Sequence, residues 1–450
     1  MRIAKRFGLV FAWLTGLLFT FAAICSNHPF MMPLRGSPYG VLLAASIAVM
    51  AALSKLGFWK RAGLAGRWLV LLWCLPPLSM LSARASFEIT RHRVIRTDAM
   101  LAESLGRHFV VGYSSFDEVA RLAERGLIAG IYVSKGNVAK REPQVIKAEI
   151  AALQERRRRA GLPPLIVAAD QEGGVVSHLS PPLTRLPSLA SLAELSPEAR
   201  VKKAEEFGRT HGRELSSLGV TLDFAPVLDL KPKARRTRFD LNTMISERAI
   251  SEDPAVVSSI ALSYVHGLES TGVGATVKHF PGLGRVGSDT HLVSADLDTP
   301  IEELEASDWR PFKDVLKASR AQLMIGHVRL TAIDPARPAS HSKAVIDGII
   351  RKAWNYQGVI ITDDLVMGAV YGRNICTVVV EALNAGVDLL LVAFDSQQFY
   401  RIFACASDAA EHNRLDLEML RDSDARLAQN FPKVSPSPIS TPADARPTGE

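Results

Sequence analysis

Two hydrophobic rhythms divide this chain. Residues 7–25 are almost uninterruptedly apolar and carry no charge, about the length a helix needs to cross a bilayer. A second apolar run follows at 39–53 and a third at 68–81. Pro76-Pro77 interrupts the third, which is also compatible with an interfacial or re-entrant piece. A lone first run would resemble a cleaved leader, but the two behind it argue for an anchored chain. From about His108 the rhythm changes. Short apolar, largely β-branched runs stand at 109–112, 128–133, 165–169, 222–226, 275–279, 323–327, 359–362 and 389–392. Most are apolar throughout, as parallel strands covered on both faces are.

Segments of helical spacing lie between them. Residues 143–159 and 198–217 put apolar positions on one side and charge on the other. Ser251-Glu252-Asp253-Pro254 and Ser196-Pro197 are helix entries. Eight strands alternating with helices predict an α/β fold, a (β/α)₈ barrel preceded by N-terminal transmembrane helices. No glycine-rich dinucleotide loop follows the first strand, which weakens an open doubly wound sheet. The expected organisation is a membrane region at 1–98 with two or three spans, a barrel at 99–430, and a disordered Pro/Ser-rich tail at 431–450. There is no internal repeat.

Charge adds an orientation. Arg2, Lys5 and Arg6 precede the first run, Arg35 alone separates the first from the second, and Lys55, Lys60, Arg61 and Arg67 separate the second from the third. Basic residues favour the cytoplasmic side, so the N-terminus is expected inside and the barrel on the outer face of the inner membrane. Arg84, Arg91, Arg93 and Arg96 count against that placement. The net charge of +7 over 450 residues is too modest for a dedicated nucleic-acid surface, and no nucleic-acid partner is expected. The basic run at 156–159 reads as a solvated helix end, and 231–238 holds a second basic stretch. Of four cysteines, Cys25 and Cys74 lie in apolar runs. Cys376 and Cys405 are read as buried free thiols in preference to a disulfide.

Barrel chemistry collects where strands end, and here those ends are polar. The third strand runs into Asp170-Gln171-Glu172-Gly173-Gly174. The fifth runs into Lys278-His279-Phe280-Pro281-Gly282-Leu283-Gly284 and on to Asp289-Thr290-His291. The sixth ends near His327 and the seventh in Asp363-Asp364. Singly, each has a structural explanation: Asp364 as a helix N-cap, a lone His as a satisfied neighbour, the glycines as turn formers. Several polar strand ends on one face are not explained that way. A carboxylate at a barrel mouth can attack an anomeric carbon, and a second group must then protonate the leaving oxygen and deprotonate water. His291 has a suitable intrinsic pKa, and Asp289 two residues away can orient it. Glycines at 282, 284 and 287 make that loop a candidate for closing over substrate. Metal binding is the competing use of these side chains, but no close-spaced ligand set is present. Neither a metal nor another cofactor is expected.

The motifs Asp170-Gln171-Glu172-Gly173-Gly174, Asp223-Phe224-Ala225-Pro226-Val227-Leu228-Asp229, Glu247-Arg248 before Asp253-Pro254, Lys278-His279-Phe280-Pro281-Gly282, Asp289-Thr290-His291, residues 358–367 around Asp363, and Ala385-Gly386-Val387-Asp388 occur in this order. Together they resemble family 3 glycoside hydrolases, in particular the bacterial β-N-acetylglucosaminidases of cell-wall recycling. The resemblance implies a retaining exo-glycosidase with Asp363 as nucleophile and Asp289 and His291 as an acid/base dyad. Asp170, Arg248, Lys278 and His279 would bind the terminal sugar, a β-linked N-acetylglucosamine of a muropeptide or related glycan. The sequence departs from that family at Val175, where Arg is usual, at Leu283, where His is usual, and in its membrane segment. A phosphorylase using the same residues, and a non-catalytic membrane glycan-binding protein, are the alternatives.

Overall fold

The computed structural model describes residues 2–55, 57, 59, 63–232, 243–371 and 373–431. The predicted tail at 431–450, except Phe431, and most of the basic stretch at 231–238 fall outside them.

Eight short strands form one parallel sheet: β1 (Phe109–Gly112), β2 (Gly130–Tyr132), β3 (Ile166–Ala169), β4 (Leu222–Asp223), β5 (Gly274–Phe280), β6 (Gln322–Ile325), β7 (Ile360–Thr362) and β8 (Leu390–Val392). Each pairs in parallel with the next through β7, and β1 pairs with β8. A parallel bridge between Ile361 and Leu389 closes the ring. The predicted runs are all strands, trimmed by a residue or more at several ends; the fourth keeps regular pairing only at Leu222–Asp223.

The period-2 alternation of a strand separates two cores. Val110, Tyr132, Ile166, Ala168, Leu222, Phe224, Met324, Ile361 and Leu391 fill the barrel interior. Their neighbours Val111, Ile131, Val167, Ala275, Val277, Leu323, Ile360 and Val392 pack outward against the helices. Pro143–Arg159 is a helix as predicted, and the next predicted one is Pro197–Leu218, capped by Ser196 at its start and by left-handed Gly219 at its end. On β5 the inward positions Thr276 and Lys278 are polar and buried, as is Gln322, the partner of Thr276 on β6.

Three further helices precede the barrel: α1 (Arg2–Ile24), α2 (Ser37–Lys55) and α3 (Gly63–Ile95). All three are long and apolar enough to cross a membrane. The interruption expected at Pro76-Pro77 is absent, and α3 runs straight through both prolines. Prolines deprive the preceding turn of two amide donors; packing against α1 offsets that loss. Trp73 Nε1 donates to the Ala12 carbonyl at 3.1 Å, Phe19 packs on Trp73, and Gly16 lets Leu72 approach where a Cβ would sit 2.8 Å from it.

The cysteine expectation is corrected. Cys376 and Cys405 form a disulfide, with Cα atoms 4.9 Å apart. They lie on adjacent helices, Ile375–Ala385 and Gln398–Glu411, whose packing brings together residues 29 apart in sequence.

Candidate active site

At the C-terminal end of the barrel the strand ends enclose a cleft of about 1080 Å³. Asp170 after β3, Lys278 and His279 on β5, Arg248 from the short helix Ile245–Arg248, His291 and Asp363 all line it. Asp289 is buried next to His291. The seven residues singled out in the sequence are therefore brought together.

The end of β5 explains how two successive residues reach one cleft. Pairing with β6 shifts from Val277↔Leu323 to Phe280↔Ile325, three residues against two. Such an irregularity re-aims side chains that strict alternation would send to opposite faces.

Lys278 is almost wholly buried, and its ammonium binds Asp170 and, at 2.7 Å, Glu172. Glu172 also takes a two-pronged bond from Arg248, at 2.9 and 2.6 Å. Tyr132 donates to Asp170 at 2.8 Å. Burial would push both carboxyls up. For Asp170 the Lys278 ammonium, and for Glu172 the Arg248 guanidinium, outweigh burial and hold each below its ordinary range. Burial likewise opposes the charge on Lys278, but Asp170 and Glu172 raise its pKa. Two cations thus face two anions, Lys278 and Glu172 buried and Asp170 half-buried, each with a partner.

His279 is set by Asp229, a fully buried carboxylate that accepts from its Nδ1 at 2.7 Å and from the Leu283 amide at 2.6 Å. His291 is set similarly from within its own turn. Asp289 Oδ1 accepts from the His291 amide at 2.9 Å, from His291 Nδ1 at 3.0 Å and from Thr243 Oγ1 at 2.9 Å. Burial pushes the Asp289 carboxyl up, but those donors win and its pKa is lowered. With Nδ1 occupied, Nε2 is the His291 nitrogen left to meet a ligand.

Asp363 accepts from the Asp364 amide at 2.8 Å, and its own amide donates to Ile325. Burial pushes its carboxyl up, yet the fields of His279, His327 and His291 bring it below the ordinary value. Asp364 does not cap a helix as expected. It accepts from the amides of Val366, Ala393 and Phe394, joining the loops after β7 and β8, and burial pushes its carboxyl up to about 7. His327 is buried between Ser340 and the Asp364 carbonyl. The amides of Gly368 and Ala369 donate to the carbonyls of His291 and Thr290, at 2.8 and 3.2 Å. A Cβ on Gly368 would sit 2.3 Å from the Leu292 carbonyl.

Glu172, Asp229 and Tyr132 have no role in the sequence-based expectation. Glu172 and Asp229 lie inside the quoted motifs, but their partners are 76 and 50 residues away. A larger cavity of about 1570 Å³ lies at the other end of the barrel, where Glu269 is the one lining carboxylate among the described residues. Those residues offer no acid pair there. Among the described residues no group of three or more His, Cys, Asp or Glu side chains is arranged to hold a metal ion.

Residues 100–429 match the model of the glycosyl hydrolase family 3 N terminal domain. The chain belongs to glycoside hydrolase family 3. This glycoside hydrolase is 37% identical over 269 residues to a beta-hexosaminidase of Xylella fastidiosa, covering 59% of this chain and 76% of the relative. It is 34% identical over 285 residues to one of Glaesserella parasuis, covering 63% and 78%. Among solved structures it resembles a family 3 beta-N-acetylglucosaminidase from Paenibacillus, with a TM-score of 0.67 and 28% identity over 76% of this chain. It spans 64% of that longer protein.

Proposed function

We propose that this family 3 enzyme is a membrane-anchored, retaining β-N-acetylglucosaminidase acting on the terminal sugar of peptidoglycan fragments or related glycans. One observation carries the reading: Asp363 and His291 line the same cleft, with Nδ1 of His291 held by Asp289. Asp363, kept ionised, attacks the anomeric carbon while His291 gives its Nε2 proton to the departing oxygen. The glycosyl ester is then hydrolysed by a water whose proton His291 takes, and Asp363 leaves as the carboxylate. Asp170, Arg248, Lys278 and His279 bind the sugar from the strand-end side. The curated relatives are named beta-hexosaminidases, which supports the choice of an amino sugar. No feature of the described cleft favours phosphate over water as acceptor, or a loss of catalysis.

The anchor reading rests on α1–α3 and on the sparse charge between α1 and α2. The Cys376–Cys405 disulfide supports an extracytoplasmic barrel, since such bonds persist in oxidising compartments. A topology reporter fused after Arg96 tests the side. For the activity, the full chain in detergent should release phenol from an aryl β-N-acetylglucosaminide. Cleavage of the aryl glucoside alone would overturn the sugar assignment. A fluorinated glycoside that traps the ester should label Asp363.

A further inference from the structure

The link between α1 and α2 does not hang free. It folds back onto the mouth of the cleft, and Arg35 fastens it there. The Arg35 guanidinium binds both oxygens of Asp395, at 2.9 and 2.7 Å, and Asp395 is almost fully buried. The same side chain donates to the carbonyls of Ser26, Asn27 and His28. From the barrel side, Gln398 donates to the Asn27 carbonyl and Tyr371 packs edge-on against His28. Phe30, Met32 and Arg35 thereby become lining residues of the cleft that holds Asp363 and His291.

The link joins the ends of α1 and α2 and touches the loop after β8, so it shares a side of the bilayer with the barrel. α3 starts from the far end of α2 and must cross back. α3 has 33 residues, about 50 Å of helix, against a hydrocarbon layer of about 30 Å. Its surplus turns pack on the barrel through Phe87 against Tyr400 and Arg91 against Glu118. Asn27 donates to the Ala83 carbonyl and Tyr39 to that of Met80. The link therefore lies level with the part of α3 where charged residues resume at Arg84 after the uncharged stretch 68–83, the expected height of the lipid headgroups.

The cleft also changes character with depth. Its floor is the buried charged network, whereas its rim exposes Phe30 (48%), Val175 (42%), Leu292 (47%) and Phe394 (58%) to solvent. Clustered exposed apolar side chains mark a contact surface, and these ring the opening through which an aglycone must leave.

Resting on the glycosidase reading above, we infer that the α1–α2 link is the aglycone wall of the active site, and that the substrate class is an amphiphilic β-N-acetylglucosaminide whose apolar part stays in the bilayer. The sugar descends to the charged floor while the chain lies along Phe30, Met32 and the rim.

The test uses the full chain in liposomes, with dodecyl and methyl β-N-acetylglucosaminide as substrates. The dodecyl glycoside should have the higher kcat/KM, by at least about tenfold. The double substitution Phe30→Ser/Met32→Ser should lower dodecyl cleavage at least about fivefold more than methyl cleavage. Phe394→Ser should show the same selective loss without altering the link, and thermal melts of each preparation report its folding. Equal kcat/KM for the two glycosides, or equal losses on both in folded variants, overturns the inference and leaves the hydrolase reading standing. Failure of the unaltered chain to cleave either glycoside overturns the hydrolase reading, and the inference falls with it.

Discussion

On the strand-end wall of the cleft, the segment Asp170–Glu172, Arg248 and Lys278 come from three stretches far apart in sequence, and mutual charge, with Glu172 and Lys278 buried, holds them. On the loop wall, Asp289 and His291 are two residues apart, and the His291 side chain is 39% exposed. Each wall contains an imidazole whose Nδ1 meets a carboxylate, His279 with Asp229 and His291 with Asp289. The contrast teaches that one local geometry can serve two ends. Where both partners are buried the pair positions a ring in the wall, and where the imidazole meets solvent it can exchange protons.

The sharpest way to break this contrast is at Asp363. Asp363→Ala should cut hydrolysis at least about 10⁴-fold for every leaving group, measured as steady-state release of aryl and alkyl aglycones. A loss confined to poor leaving groups would mean that Asp363 is not the nucleophile. Next in size is Lys278→Met, which leaves Asp170 and the rest of the network with one cation fewer. It should destabilise the protein by about 3–5 kcal/mol, read as a shift in the denaturant midpoint. On the loop wall, His291→Ala should leave stability nearly unchanged and lower kcat about 10²–10³-fold for alkyl glycosides. The loss should be much smaller for p-nitrophenyl glycosides, whose leaving group needs little protonation. Equal losses with both would remove the proton-donor role.

The smallest effect concerns pH. Asp170 and Glu172 have folded pKa values below their unfolded ones. The stability they contribute is present above about pH 4 and is lost as pH falls through the lowered values. Thermal melts should therefore show a decline below about pH 4, worth about 1–3 kcal/mol, and Lys278→Met should flatten it. An acid limb of the same size in that variant would place its origin elsewhere.

The barrel was legible because burial on both faces writes a strand as an apolar run, and all eight runs became strands. The loop dyad was legible because its partners are neighbours in sequence. The strand-end network was not. Nothing near Glu172 in sequence announces Arg248, and nothing near His279 announces Asp229, since only the closed ring brings them together. The same holds for Cys376 and Cys405, whose pairing depends on how two helices pack. α3 failed the expectation for another reason. Two prolines in a short apolar run predict a break, whereas the helix is held by neighbours on α1 that local propensity does not include.

Gly368 ties the chain that follows the β7 aspartates to the turn carrying His291, amide to carbonyl, with no room between them for even a methyl group. The backbone of that turn therefore cannot swing outward alone. Any widening of that side of the cleft has to carry residues 365–371 along, so release of the cleaved sugar and a change in the surroundings of Asp363 become a single motion. Deuterium uptake at the Gly368 and Ala369 amides would time it.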